Sequence, residues 1–210
     1  MPVTGVWVPG GVESHFPSHP NDIPGAGMPL TSDITRYIGD GVAALADENT
    51  GIRNLRTLII GNESNDFSAP RVTDVGVAAL AAKGTGLKAL VSLTLVGMSV
   101  GDDGVAALAA KDTGLWNLRS LDISFTSVTD KGVEAVAAKG TGLENLTTLI
   151  LPRRVSFFTD RHLTNKGLAA LAAQDCGIKN LKVLNLSGNE VSDTVAAAIK
   201  KRFPGITIIR

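Results

Sequence analysis

The fold class this sequence predicts is a right-handed α/β solenoid, with about six parallel strands on a concave side and helices on the convex side. Three observations predict it. A block reading Gly-Val-Ala-Ala-Leu-Ala recurs along the chain, a second block with an LxxLxL core follows each copy, and the two blocks have different hydrophobic periods.

The first block stands at Gly41–Ala46, Gly76–Ala81 and Gly104–Ala109, with variants at Gly132–Ala137 and Gly167–Ala172. In the third copy Val105, Leu108 and Ala109 fall at i, i+3 and i+4, which is one face of a helix. Ser or Thr followed by Asp precedes several copies (Thr73-Asp74, Thr129-Asp130, Ser192-Asp193). These read as helix N-caps, with the acid at the positive end of the dipole. The Gly or Asp-Thr-Gly that follows each block is expected to end the helix.

The second block alternates. Leu121 and Ile123 are separated by Asp122 and preceded by Ser120, which is strand spacing. Its leading leucines are Leu55, Leu90, Leu118, Leu146 and Leu181, spaced by 35, 28, 28 and 35 residues. The period is therefore 28, with seven extra residues entering twice in the same register. A shortened sixth unit closes the series, with Phe203, Ile206 and Ile208 expected at the three apolar positions. Neither a lone strand nor a lone helix of this kind can bury its apolar side, whereas stacked units bury both in one core.

These residues resemble the leucine-rich-repeat family over about residues 33–210. Leu121-Asp-Ile-Ser-Phe-Thr-Ser-Val-Thr-Asp-Lys-Gly-Val133 carries a strand, a TxVTDxGV turn and a helix start, and Leu184-Asn-Leu-Ser-Gly-Asn-Glu-Val-Ser-Asp193 carries the common Asn form. The pattern is similar to the cysteine-containing repeats of F-box adaptors and to ribonuclease-inhibitor-like repeats, although the recurring Cys is replaced in part by Ala. The resemblance implies a solenoid and a binding role, and it is nearly silent on the ligand. No F-box pattern precedes the repeats, so a ubiquitin-ligase role is not supported.

Composition agrees with many small packing layers: 44% of residues are hydrophobic and only 4% aromatic. Twenty acidic and twenty basic residues cancel, which leaves no global field to draw nucleic acid or an anionic membrane. The single Cys176 permits no internal disulfide. No signal-peptide pattern opens the chain, and no apolar run nears the roughly 20 residues of a membrane helix. A cytoplasmic location is expected on these grounds.

Residues 1–32 fall outside the repeat and read as an irregular N-terminal cap or as a tail that docks on a partner. The two expansions give rim insertions near residues 62–71 and 152–162. The first is mildly acidic and carries Phe67; the second is basic, with Arg153, Arg154 and Arg161, and carries Phe157 and Phe158. Both leave the C-terminal end of a strand and should share a rim, three strand steps or roughly 15 Å apart. They are either folded surface loops or a two-loop contact site.

The strand alternation puts Thr57, Ile59, Ser92, Thr94, Ser120, Asp122, Thr148, Ile150, Val183 and Asn185 on the concave face, with Arg56, Arg119 and Lys182 as solvated edges. That face has no cationic cluster for phosphates and no aromatic row for base stacking. Trp116 stands where other repeats have Arg53, Lys88, Glu144 and Lys179, so it is expected to be exposed, either beneath the tail or in an interface.

Residues with chemistry do not converge. His15 and His19 stand four apart near Glu13, but Pro17 and Pro20 deny them a helix, so no metal is expected. His162 and Asp160 have no nucleophile fixed beside them, and Cys176 reads as a small, partly buried thiol. No phosphate loop, nucleophile elbow or CxxC motif is present, and no cofactor is expected. The expected function is protein–protein interaction or scaffolding without catalysis. The rivals are a structural subunit of a larger assembly and an enzyme using the insertions as an active-site rim. The chain is expected to be a monomer on its own, with Lys200, Lys201, Arg202 and Arg210 guarding the last strand's open edge.

Overall fold

A computed structural model describes residues 42, 45, 54–61, 71–153 and 163–210. Six strands and five helices alternate along it. They are β1 (Thr57–Ile59), α1 (Asp74–Ala81), β2 (Ser92–Thr94), α2 (Asp102–Ala109), β3 (Ser120–Asp122), α3 (Asp130–Ala137), β4 (Thr148–Ile150), α4 (Asn165–Ala172), β5 (Val183–Asn185), α5 (Asp193–Arg202) and β6 (Thr207–Ile209). The strands form one parallel sheet in chain order, as the repeat spacing predicts. The tail of residues 1–32, the metal-like His15, His19 and Glu13, most of both insertions, and Phe67, Arg154, Phe157, Phe158, Arg161 and His162 lie outside the described residues.

Leu58, Leu93, Leu121, Leu149, Leu184 and Ile208 pair successively across the sheet, and as far as Leu184 the register follows the sequence alignment residue for residue. The middle four of these are fully buried. Against them lie the inward helix faces, such as Val105 and Leu108 of α2 and Val133 and Val136 of α3, also fully buried. Each such Leu or Val stabilises the stack by roughly 1.5–3 kcal/mol relative to exposure. Val42 and Leu45 join the same core, so it extends ahead of β1.

Three expectations need correction. The helices do not end at glycine. Ala82, Ala110, Ala138 and Ala173 turn to extended backbone one residue after the helix. The next turn then bonds backward, as in Thr113 N–H to the Ala110 carbonyl at 3.0 Å. The threonine hydroxyl also crosses to the preceding repeat: Thr113 donates to the Ala81 carbonyl at 3.0 Å and Thr141 to that of Ala109 at 3.1 Å. Tertiary bonds therefore set the stop. Gly114 is needed for close approach: a Cβ there would sit 2.6 Å from the Thr85 hydroxyl oxygen.

The last unit is displaced by two residues from the expected alignment. Ile208, rather than Ile206, pairs in the row of Leu184. A shift of two preserves which side chains face inward, so Phe203 and Ile206 remain buried ahead of the strand. Arg202 is no edge guard either. Its guanidinium donates to the carbonyls of Ala173, Cys176 and Ile178, which ties α5 to the preceding turn. Arg210 is paired with Asp193 at 2.8 Å.

Candidate functional site

The outward strand positions form two rows across the sheet. One runs Thr57, Ser92, Ser120, Thr148, Val183, Thr207; the other runs Ile59, Thr94, Asp122, Ile150, Asn185, Ile209. The sequence alternation named these positions correctly in the first five strands, and all twelve are half-buried or exposed. Asp122 is the one carboxylate in the two rows. Its Oδ1 accepts the Ser124 N–H at 2.9 Å and also the Ser124 hydroxyl, so the charge is spent largely on closing the turn after β3. Asn185 does the same for Ser187 N–H at 2.9 Å. Arg56, Arg119 and Lys182 are exposed beside the rows, as expected.

Beyond the strands lies the rim. Seven residues past the leading leucine of successive repeats stand Gly97, Phe125, Arg153 and Gly188. Gly97 and Gly188 have left-handed backbone, φ 70° and 77°. Phe125 has φ 58°, and it is the only non-glycine residue with positive φ among the described residues. Bulky residues resist that conformation, at a cost of about 1–2 kcal/mol. Phe125 nevertheless leaves 40% of its surface exposed. One repeat further on, the Arg153 guanidinium lies over the Phe125 ring, 4.8 Å from its centroid. That distance matches the step between neighbouring strands, which is why adjacent repeats at equal positions can stack their side chains.

Of the candidates named from sequence, Arg153 and Trp116 are described. Arg153 is exposed on this rim. Trp116 is 55% exposed, on the turn ahead of β3 at the opposite end of the strand, so the two do not meet. The backbone at Trp116 is fixed, since its carbonyl accepts the Asn145 side-chain amide at 3.1 Å. Phe125 was missed by sequence reasoning. The signal was the repeat column itself, in which an aromatic replaces a turn glycine.

Cys176 occupies the buried turn place held by Thr85, Thr113 and Thr141 in other repeats. Burial pushes its thiol above the ordinary value. Among the described residues, no three His, Cys, Asp or Glu side chains gather as metal ligands would, and no helix is long and apolar enough to cross a membrane.

The recurring aspartates do not cap their own helices, as the sequence had led us to expect. Thr73, Thr129, Thr164 and Ser192 cap them, while Gly101 supplies no side-chain cap to α2. The carboxylates of Asp74, Asp102 and Asp130 reach forward instead, to the N–H groups of Gly101, Thr129 and Thr164. A helix start needs acceptors for its free N–H groups, and here the preceding repeat provides one. These carboxylates belong to the scaffold.

A family model described as Leucine Rich repeat matches residues 117–137 and 177–199. The first span holds β3 and α3, and the second holds β5 and most of α5. A search of curated proteins finds no match to the chain.

Proposed function

The chain belongs to the leucine-rich-repeat family, and on that premise we propose that it is a protein-binding module whose specific contacts lie on the rim beyond the strands. Repeats of this family generally mediate protein–protein interaction. The observation that carries the reading is Phe125, a large apolar side chain kept exposed in a backbone conformation that the repeats of Gly97 and Gly188 give to glycine. Exposed aromatic and arginine side chains on a rigid frame are the usual anchors of an interface. The basic insertion, with Arg154, Phe157, Phe158 and Arg161, continues in sequence from Arg153, and Phe67 belongs to the other insertion. Trp116 offers a separate exposed anchor at the opposite strand end. The hydroxyl-rich strand rows supply shape rather than charge.

Affinity capture from native extract tests this. Replacing Arg153 and Arg154 by Ser and Phe157 and Phe158 by Ala should abolish recovery of the partner while leaving the helical circular dichroism unchanged. If capture survives those changes and fails instead when Ser92, Thr94, Ser120 and Asp122 are replaced, the contact face is the sheet. Recovery of one stoichiometric complex would favour a fixed subunit of an assembly over a transient binder.

A further inference from the structure

We propose that Phe125 and Arg153 form a platform that reads a carboxylate, at which the partner protein docks an Asp or Glu side chain against the guanidinium. This rests on the protein-binding reading above and gives it a chemistry. The first ground is placement. Phe125 holds a left-handed turn position that serves equally well with glycine in the repeats of Gly97 and Gly188. The turn therefore gains nothing from the ring. The second is the stack. With Arg153 4.8 Å above the ring centroid, one face of the guanidinium is shielded from water while the side chain stays exposed. Among the described residues Arg153 makes no hydrogen bond or ion pair. A guanidinium fixed in one plane is already arranged for a two-bond grip on a carboxylate, which spares the ordering cost of a free arginine.

The surroundings favour that occupant. Asp122, the only carboxylate of the outward strand rows, is engaged by Ser124. Gly97 lies one repeat before Phe125 and Gly188 one repeat after Arg153, so among the described residues no side chain of that row flanks the pair, and a partner backbone can come close.

The test uses the full-length ¹⁵N-labelled chain and the Nε–Hε resonances of its arginines. The probe is the capped peptide Ac-Glu-Glu-Glu-Glu-NH2, compared with its glutamine counterpart and with inorganic phosphate. The glutamate peptide should move the Arg153 signal saturably, well ahead of those of Arg56 and Arg119, and the glutamine peptide should not. R153Q should remove saturable binding, a loss of at least tenfold. F125G should weaken binding severalfold while unfolding in urea no earlier than the parent. The proposal is overturned if Arg153 does not respond, or if all exposed arginines respond alike. It also falls if phosphate saturates the site while the glutamate peptide does not, or if F125G binds unchanged. Earlier unfolding of F125G would make the ring a packing element and overturn it too. Should the peptide fail while capture of a partner still depends on the rim, the carboxylate assignment is wrong and the protein-binding reading stands.

Discussion

The Asp102 carboxylate grips Thr129 of the next repeat with both oxygens: Oδ1 accepts the Thr129 N–H at 2.7 Å and Oδ2 accepts its hydroxyl at 2.7 Å. The same Oδ1 accepts the Gly132 N–H at 2.9 Å. Asp130 repeats the pattern on Thr164, and Asn165 holds Ser192 N–H at 3.0 Å. The starts of α2, α3, α4 and α5 are thus each secured by the preceding repeat, which couples neighbouring repeats.

Removing that grip should be costly. Asp102→Ala leaves two N–H groups without this acceptor, and the loss is expected to be about 1–3 kcal/mol, read as a lower urea midpoint. Asp102→Asn should cost less, since an amide keeps one acceptor oxygen and Asn165 already fills the equivalent place toward Ser192. Equal losses for the two variants would mean that the charge, rather than the hydrogen bonds, matters.

The ladder has one gap. Gly101 is the N-cap of α2 but has no side chain to offer, whereas Thr73, Thr129 and Thr164 cap the equivalent helices. A Cβ at Gly101 would lie 3.3 Å from Asp74 Oδ2, the side from which a threonine hydroxyl could donate, as Thr129 does to Asp102. Gly101→Thr should therefore stabilise the chain by roughly 1 kcal/mol. A thermal melt that shifts downward would show that the gap is sterically required.

Gly132→Ala should go the other way. Helix propensity favours alanine over glycine by about 1 kcal/mol. At Gly132 the new Cβ would stand 2.8 Å from Asp102 Oδ1 and overlap the Val128 side chain. Crowding of this kind costs about 1–3 kcal/mol, so net destabilisation is expected. Unchanged or improved stability in urea would disprove the close contact.

Cys176 carries a pH signature. Its thiol is raised in the folded chain because burial disfavours the thiolate. The folded state therefore holds its proton longer than the unfolded one. The stability tied to the neutral thiol is complete below the ordinary thiol pKa of about 8.5 and falls as pH rises beyond it. Cys176→Thr should remove this part of the decline, seen as a smaller drop in urea midpoint between neutral and alkaline pH. Alkylation of the native thiol by iodoacetamide should be slow until the chain unfolds.

The sequence by itself determined the architecture, because a solenoid's contacts repeat at a fixed chain distance. Once Leu93 and Leu121 are aligned, their neighbours are aligned with them, and the outward rows follow from the two-residue alternation of strands. It also located Trp116 as a surface residue through its repeat column and Arg153 through its place in the basic insertion. Only the tertiary structure decided where the polar side chains of those columns point. Asp130 looked like the acid of its own helix, yet the N–H and hydroxyl of Thr164, the cap of the following helix, claim its carboxylate. Thr113 looked like part of a helix stop, yet its hydroxyl crosses to the Ala81 carbonyl. Arg202 looked like surface charge, yet three carbonyls of an earlier turn draw it in. Apolar burial repeats with the chain and is legible from period alone. A short polar side chain takes whichever donor or acceptor the stacking of repeats brings within about 3 Å, and that depends on the packed geometry rather than on spacing along the sequence.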